Sequence, residues 1–247
     1  MAHLPLTRRL RSRRSPAALG AALATTLLLS GLVSGCGGGE EKADETSPAE
    51  VMETAKKNLD DASSVRIALS TESTPSSGNG VLGATGDITH DPAFEGDVKV
   101  VLSGLTATVP VTSIGGKVYA KLPLQTKYEV IDPAEYGAPD PADFADPEQG
   151  LSGLLTRIEG LKKGKEQRSG EVILTTYTGT LAGAPVKKII PSAVVKETYE
   201  TEIGVDEDGF ATTVKVTGPF FTGNDDVTYD VRLTEYDKSV EITAPAA

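Results

Sequence analysis

The sequence contains no tryptophan, and aromatic residues make up only 5% of its 247 positions. A core of ordinary size must therefore be built mainly from aliphatic side chains. Only one cysteine, Cys36, and two histidines are present. No disulfide can form within the chain, and the side chains that most often act as nucleophile, general base or zinc ligand are scarce. We therefore expect neither an enzyme nor a protein that holds a metal or a cofactor.

Positive charge is also scarce once the first 14 residues are set aside. The formal net charge is −11, and five of the 24 basic residues are arginines that precede Pro16. Without these five, 19 basic residues remain against 35 acidic ones, a net charge of −16. A surface of that sign repels phosphate backbones, so we expect no nucleic-acid partner.

The first 36 residues have the three-part layout of a bacterial lipoprotein signal. A basic segment, RRLRSRR, precedes an apolar run, AALGAALATTLLLSGLVSG, which stops at Cys36. The run is short and rich in small residues, which is typical of a signal peptide rather than a lasting transmembrane helix. Its end, Val33-Ser34-Gly35-Cys36, matches the lipobox, in which the cysteine thiol receives a diacylglyceryl group and the peptide is cut just before it. The alternative is an ordinary secretory peptide with an accidental cysteine.

Residues 37–47, GGGEEKADETS, carry no apolar side chain except one alanine and are predicted to form a flexible tether. Its r.m.s. reach is about 18 Å. Two or more acyl chains on Cys36 suffice for stable anchoring. We thus predict a signal peptide at 1–35, a lipidated cysteine and tether at 36–47, and a single folded domain at 48–247. That domain is expected on the outer face of the cell membrane, held by the lipid anchor.

The stretch 96–122, GDVKVVLSGLTATVPVTSIGGKVYAKL, predicts three consecutive β-strands. Apolar and polar residues alternate along it with a period of two, so one face of the resulting sheet is apolar. Further strands are predicted near residues 65–69, 85–90, 128–131 and 171–181, and four more after residue 198. Either packed helices or a ligand must cover the apolar face.

Helices are predicted on both sides of this meander. Ser47-Pro48-Ala49-Glu50 predicts a capped helix that runs to about Ala62. Apolar residues at helical spacing predict a second helix over 151–161, ended by Lys162, Lys163 and Lys165. A short third helix is predicted at 186–190, and the Pro- and Asp-rich run 137–150 is predicted to be a surface loop. A single α+β domain with a large antiparallel sheet and a few helices on one face fits this pattern.

Several segments, taken in order, resemble the LppX/LprAFG lipoproteins of actinobacteria. They are GDITHDPAFEGDVKVVLSG (86–104), GGKVYAKL (115–122), IDPAEY (131–136), DPEQGLSGLL (146–155), TYTGTL (176–181), IIPSA (189–193) and LTEYDKSVEITAP (233–245). The resemblance implies a curved, half-barrel antiparallel sheet similar to that of the LolA/LolB carriers, with helices on its concave face. It also implies a hydrophobic cavity for the acyl chains of lipids or lipoglycans, and in some members a membrane transporter as partner.

The hypothesis for the cavity lining combines the alternation pattern with this resemblance. It comprises six sheet residues and four helix residues: Val98, Val100, Leu102, Val109, Val118, Ala120, Leu151, Leu154, Leu155 and Ile158. The resemblance places Val98 at a cavity-wall valine of the family. Pattern alone favours a simpler interpretation, in which these residues pack into a closed core.

Three functions remain open from the sequence. The first is a membrane-anchored lipid-binding and transfer protein without catalysis. The second is an interaction or sensor lipoprotein with a closed core, whose outer face binds a membrane protein. The third, an enzyme acting on cell-wall glycolipid, is disfavoured by the shortage of histidine and cysteine, since His90 stands alone after cleavage.

Overall fold

The structure, a computed structural model, describes residues 46–73, 79–102, 104–221 and 226–246. These residues form the following strands: β1 Ser64–Thr71, β2 Gly80–Thr89, β3 Ala93–Leu102, β4 Leu105–Ile114, β5 Lys117–Ala120, β6 Glu129–Ile131, β7 Glu159–Ser169, β8 Val172–Ala182, β9 Thr198–Val205, β10 Ala211–Gly218 and β11 Val227–Thr234. The helices are α1 Pro48–Asp61, α2 Leu151–Leu155 and α3 Gly183–Ile189, with two 3-10 helices at Pro133–Tyr136 and Pro141–Ala145.

All of these strands belong to one antiparallel sheet in the order β6-β5-β4-β3-β2-β1-β11-β10-β9-β8-β7. The sheet is curved and open, and the helices cover the face that carries the buried apolar side chains. The predicted fold class, a half-barrel sheet with helices on its concave face, is confirmed. Every helix and strand named above lies between residues 48 and 234, so the segment from residue 46 contains the whole sheet and its core.

Helix α1 starts with the predicted capping box. Ser47 Oγ accepts a hydrogen bond from the backbone N–H of Glu50 at 3.3 Å, and the Glu50 carboxylate accepts the N–H of Ser47 at 2.8 Å. Met52 and Ala55, on the inner face, are fully buried in the core. Capping, a proline at the first helical position and one apolar stripe thus place the helix where the sequence predicted it.

The second predicted helix is much shorter than expected. Helix α2 ends at Leu155, and β7 begins at Glu159, so Lys162, Lys163 and Lys165 lie on a strand rather than at a helix end. Gly160 has φ +64°, a left-handed conformation that no helix continues through. Strand β7 is an edge of the sheet and is exposed along almost its whole length. Its charged side chains discourage pairing with another strand. Because both of its faces are exposed, the strand lacks the apolar alternation from which strands are predicted.

The C-terminal segment departs from the prediction as well. The last of the four strands expected after residue 198 would span 239–245, but no strand follows β11 in the described part of the chain. Glu235 and Asp237 both have positive φ, which interrupts the extended backbone after β11, and Asp237 donates its N–H to the carbonyl oxygen of Ser64 at the start of β1. Ile242 is nonetheless buried. None of the helices within the described ranges is long and apolar enough to cross a bilayer.

Candidate functional site

An apolar cavity lies on the concave face between strands β3–β6 and a short covering segment. We call residues 132–145, which contain both 3-10 helices, the cover segment. The volume of this cavity, measured as the space open to the centre of a water-sized sphere, is about 70 Å³. Ligand pockets for small molecules commonly reach about 300–1,000 Å³, so this cavity is narrow although its lining is long.

The structure brings the six predicted sheet residues together around this cavity. Val98, Val100 and Leu102 come from β3, Val109 from β4, and Val118 and Ala120 from β5. Their side chains share one face because residues two apart on a strand point the same way. Val98 and Leu102 are half-buried, and the other four are buried. The six residues thus lie on one wall of the cavity, and their role in binding a ligand stays a prediction.

The four predicted helix residues do not line the cavity. Leu151, Leu154, Leu155 and Ile158 are all buried in the core, where α2 packs against α1. Leu151 borders a separate, smaller space of about 30 Å³ between α1 and β2. Because α2 has only five residues, it cannot extend across the sheet to strands β3–β5 as the predicted longer helix would.

The cavity wall also includes residues that the sequence analysis missed. From the sheet these are Leu69, Val81, Ala84, Val111, Ile131 and Tyr229, with Leu122 just after β5; from the cover segment Pro133, Tyr136, Gly137, Ala138, Pro139, Pro141 and Phe144; and from the end of α3 and beyond it Ile189, Ile190, Pro191 and Ser192. Most sheet members follow the same alternation and could have been found by extending it, whereas a bulge in β2 between Val81 and Gly83 breaks the alternation near Val81 and Ala84. The cover members could not, because the segment was interpreted as a surface loop.

Repeated Asp-Pro pairs build the cover segment and its continuation. Asp132 Oδ1 accepts the N–H of Ala134, and Asp140 Oδ1 accepts the N–H of Ala142, each at 2.9 Å. In both pairs the proline that follows takes the first helical position, where its missing N–H costs nothing. Asp146, before Pro147, accepts two backbone N–H groups in the same way, and these bonds lower the pKa of its carboxyl. The Asp-Pro repeat is therefore the sequence signal of this cover.

Few polar atoms occur in the cavity wall. None of the residues that line it is charged. Tyr229 Oη donates a hydrogen bond of 2.7 Å to the carbonyl oxygen of Val81, and burial raises the pKa of this tyrosine to about 12. The phenol thus stays neutral at physiological pH. In the described ranges, no group of three or more histidine, cysteine, aspartate or glutamate side chains is arranged to hold a metal ion.

Known proteins share both the sequence and the fold. The sequence model of the LppX_LprAFG lipoprotein family matches residues 47–242. The chain is 27% identical over 238 residues to the lipoarabinomannan carrier protein LprG of Mycolicibacterium hassiacum, a match that covers 93% of this chain and 98% of that protein. It is 25% identical over 162 residues to the protein of the same name from Mycobacteroides abscessus, covering 66% and 68%.

Two solved structures have the same architecture. LprF from Mycobacterium bovis superposes with a TM-score of 0.66 at 15% identity, covering 81% of this chain and 97% of that one. LppX from Mycobacterium tuberculosis gives a TM-score of 0.59 at 14% identity, covering 79% and 98%. At these identities the likeness shows the fold, whereas the family match rests on the sequence over nearly the whole described part. The chain belongs to the LppX_LprAFG lipoprotein family.

Proposed function

We propose that this protein is a membrane-anchored carrier that holds the acyl chains of a lipid or lipoglycan in the cavity and moves or presents them in the cell envelope. The observation that carries the proposal is the uncharged, almost wholly aliphatic wall formed by β3–β5 beneath the cover segment. A wall of this kind gives an acyl chain an apolar environment and offers little for proton transfer or nucleophilic attack.

The free energy of transferring an acyl chain between a bilayer and such a site is small, so transfer can proceed in either direction. Each buried CH₂ group contributes about 0.8 kcal/mol, whether it is buried in a bilayer or in a protein cavity. Moving a chain from one to the other therefore changes the free energy little. Loading and unloading need no energy source within the protein itself.

The cavity must widen before it can hold a lipid. A space of about 70 Å³ is far below that of ordinary ligand pockets, which start at about 300 Å³. The cover segment is the element to move, because it consists of two short 3-10 helices rather than a strand paired on both sides. A ligand that binds the open form better would shift the protein toward it.

Two relatives are named lipoarabinomannan carrier proteins. We therefore infer that the ligand class includes acylated lipoglycans, whose acyl chains would enter the cavity while the glycan stays outside. A membrane transporter as the partner that hands over or receives the lipid follows from the family resemblance alone. The proposal includes no catalytic step.

The proposed anchor is the diacylglyceryl group on Cys36, which lies outside the described residues together with the rest of 1–45. Cys36→Ala should move the protein from the membrane fraction to the soluble fraction of the native host. A variant that still incorporates labelled fatty acid would show that the lipobox prediction is wrong.

The carrier function can be tested by extracting the protein purified without residues 1–36 and identifying co-purified lipid by mass spectrometry. Val98→Trp should abolish lipid uptake, because an indole on the β3 wall fills the narrow gap. Val130→Trp is the matched control: Val130 lies on β6 next to cavity residue Ile131, but its side chain is exposed. Both variants should retain the wild-type circular dichroism spectrum.

Unchanged co-purified lipid in Val98→Trp would remove Val98 from the site, whereas absence of lipid from the wild-type protein would contradict the carrier proposal. The second candidate function would then be favoured, an interaction or sensor lipoprotein with a closed core. The small size of the gap is the observation that supports this alternative.

A further inference from the structure

The strand pairing brings several loops to the end of the sheet beside the cavity. Strand β3 runs toward Leu102, which pairs with Leu105 at the start of β4. Strand β5 runs the same way, since Lys117 pairs with Ile114 and Ala120 with Val111. The register across β2, β1, β11, β10 and β9 places the start of β9 at this end as well. We call the segments 104–105, 121–128 and 190–197 the cavity end; residues 102, 122 and 190–192, in or beside these segments, line the cavity.

Exposed large apolar side chains concentrate at the cavity end. Leu124 is fully exposed, and Leu105 is 75% exposed. Val194 and Val195, directly after the cavity residues of 190–192, are also exposed. The fold does not need large apolar side chains exposed on three loops at one end of its sheet. Such clusters mark sites that contact another apolar phase.

Leu124 stands out further because of its backbone. Its φ is +71°, in the left-handed region that favours glycine. Among the described non-glycine residues only Glu235 and Asp237 share a positive φ, and both lie in polar turns at the opposite end. A strained conformation that presents a leucine entirely to solvent gains nothing in packing. Strain of this kind is typical of functional positions.

Charge is distributed unevenly between the two ends of the sheet. The segments of the cavity end carry the exposed residues Lys121, Lys127 and Lys196 and the acidic Glu197, and the register places Glu72 and Asp226 at the same end of the sheet. The turns at the opposite end are more acidic; they carry Asp91, Glu171, Asp206, Glu207, Asp208, Glu235, Asp237 and Glu241 against Lys238. In a chain with a net charge of −11, lysines thus accompany the exposed leucines.

We propose that the cavity end is a docking surface for a lipid bilayer with anionic headgroups. The Leu124 and Leu105 side chains insert into the interface between headgroups and acyl chains, and the three lysines bind the anionic headgroups. The acidic opposite end is repelled, so the cavity faces the bilayer. Docking goes beyond the carrier function, because it states where lipid enters and it does not depend on cargo in the cavity.

The test uses the protein without residues 1–36, which keeps the whole sheet and core and removes the proposed anchor. It is sedimented with vesicles of phosphatidylcholine alone and of phosphatidylcholine mixed with phosphatidylglycerol. Binding is expected to the mixed vesicles and should weaken as salt is raised, because headgroup attraction is screened. Leu124→Gly should weaken this binding about fivefold, the effect of losing one partly buried leucine. Its free energy of unfolding should not fall, because glycine accepts the positive φ.

Lys127→Glu should also weaken binding, and more strongly at low salt. Val172→Ser is the matched control, since Val172 is an exposed valine at the start of β8, at the opposite end of the sheet. It should bind vesicles like the wild type. The proposal is overturned if the protein binds neither kind of vesicle. It is also overturned if Leu124→Gly and Lys127→Glu bind vesicles as well as the wild type does, and a protein partner for the cavity end would then be favoured.

This test and the carrier test fail separately. If the vesicle experiment contradicts docking, the expected effect of Val98→Trp on co-purified lipid does not change. A protein that carries no lipid would still show the vesicle binding expected here.

Discussion

Ser113 Oγ donates a hydrogen bond of 2.5 Å to Asp140 Oδ1 and thereby joins the sheet to the cover segment. Ser113 lies on β4 and is fully buried. The same carboxylate oxygen accepts the N–H of Ala142 and so starts the second 3-10 helix. One side chain of the cover segment therefore fixes both its conformation and its position over the cavity.

Ser113→Ala removes the bond to the sheet and keeps the helix start. Because hydrogen bonds to charged groups contribute about 1.5–3 kcal/mol, the free energy of unfolding in urea should fall by about that amount. Amide hydrogen exchange should quicken more at 141–145 than in β10 and β11, where only the lower global stability acts. Ser70→Ala, on the exposed side of β1, is the control and should change neither quantity. Uniformly faster exchange over the whole sheet would contradict a local role for the bond.

Phe94 lies across a pair of facing glycines on neighbouring strands. Gly86 of β2 pairs directly with Gly96 of β3, and Phe94 is fully buried. A Cβ atom added at Gly96 would lie 2.9 Å from the Phe94 ring and in conflict with the carbonyl oxygen of Thr85. The aromatic ring takes the space that two side chains would otherwise occupy.

Gly96→Ala should therefore lower the free energy of unfolding by about 1–3 kcal/mol, as overpacking does in other cores. The change should appear as a lower denaturant midpoint at unchanged slope. Asp97→Ala, an exposed neighbour on the same strand, serves as control. A fully stable Gly96→Ala protein would mean that both Phe94 and the β2 backbone at Thr85 and Gly86 can move aside at no cost.

The wall of the candidate site could be predicted from the sequence, whereas its cover could not. Alternation placed Val98, Val109 and Val118 on the apolar face of the sheet, because a strand that is buried on one face repeats every two residues. The family resemblance, and not the alternation, assigned this face to a cavity. The cover segment has no such period. Its shape comes from Asp140 and its bond to a serine 27 residues earlier, a contact that only the folded sheet creates.

The misassigned second helix has a similar cause. Leu151, Leu154 and Leu155 do form a helical turn, and Ile158 and Leu161 continue the spacing by coincidence after the helix has ended. Edge strand β7 has no buried apolar face, so its residues do not alternate between apolar and polar. Nothing in its sequence therefore contradicts the helix predicted over 151–161. Propensity and periodicity report burial, and they are uninformative where a strand is solvated on both faces.

Glu50 makes the stability of α1 depend on pH. Hydrogen bonds from the side chain and the backbone of Ser47 lower the pKa of its carboxyl below the usual 4.5. A carboxyl whose pKa is lower in the folded state stabilises the fold above its unfolded pKa and loses that contribution as pH falls through the folded pKa. Glu50→Gln should thus be less stable than the wild type at neutral pH, and the difference should vanish below that pKa.

Chemical denaturation over a pH series measures this difference. Glu53→Gln, another exposed glutamate on the same helix but outside the capping box, is the control. A gap between Glu50→Gln and wild type that does not change with pH would mean that the charge of the capping box contributes nothing.

Phe144, in the second 3-10 helix, separates the cavity from the smaller space between α1 and β2, because it lines both. Phe144→Ala should join the two spaces. The free energy of unfolding should fall by about 3–5 kcal/mol, the usual cost of removing a buried phenylalanine ring. If the cavity holds acyl chains, the longer joined space should shift co-purified lipids toward longer chains. Phe210→Ala removes a ring that packs on Tyr236 instead, so it should cost stability without altering the lipids. Identical chain lengths in wild type and Phe144→Ala would show that the ring does not limit the space a lipid can occupy.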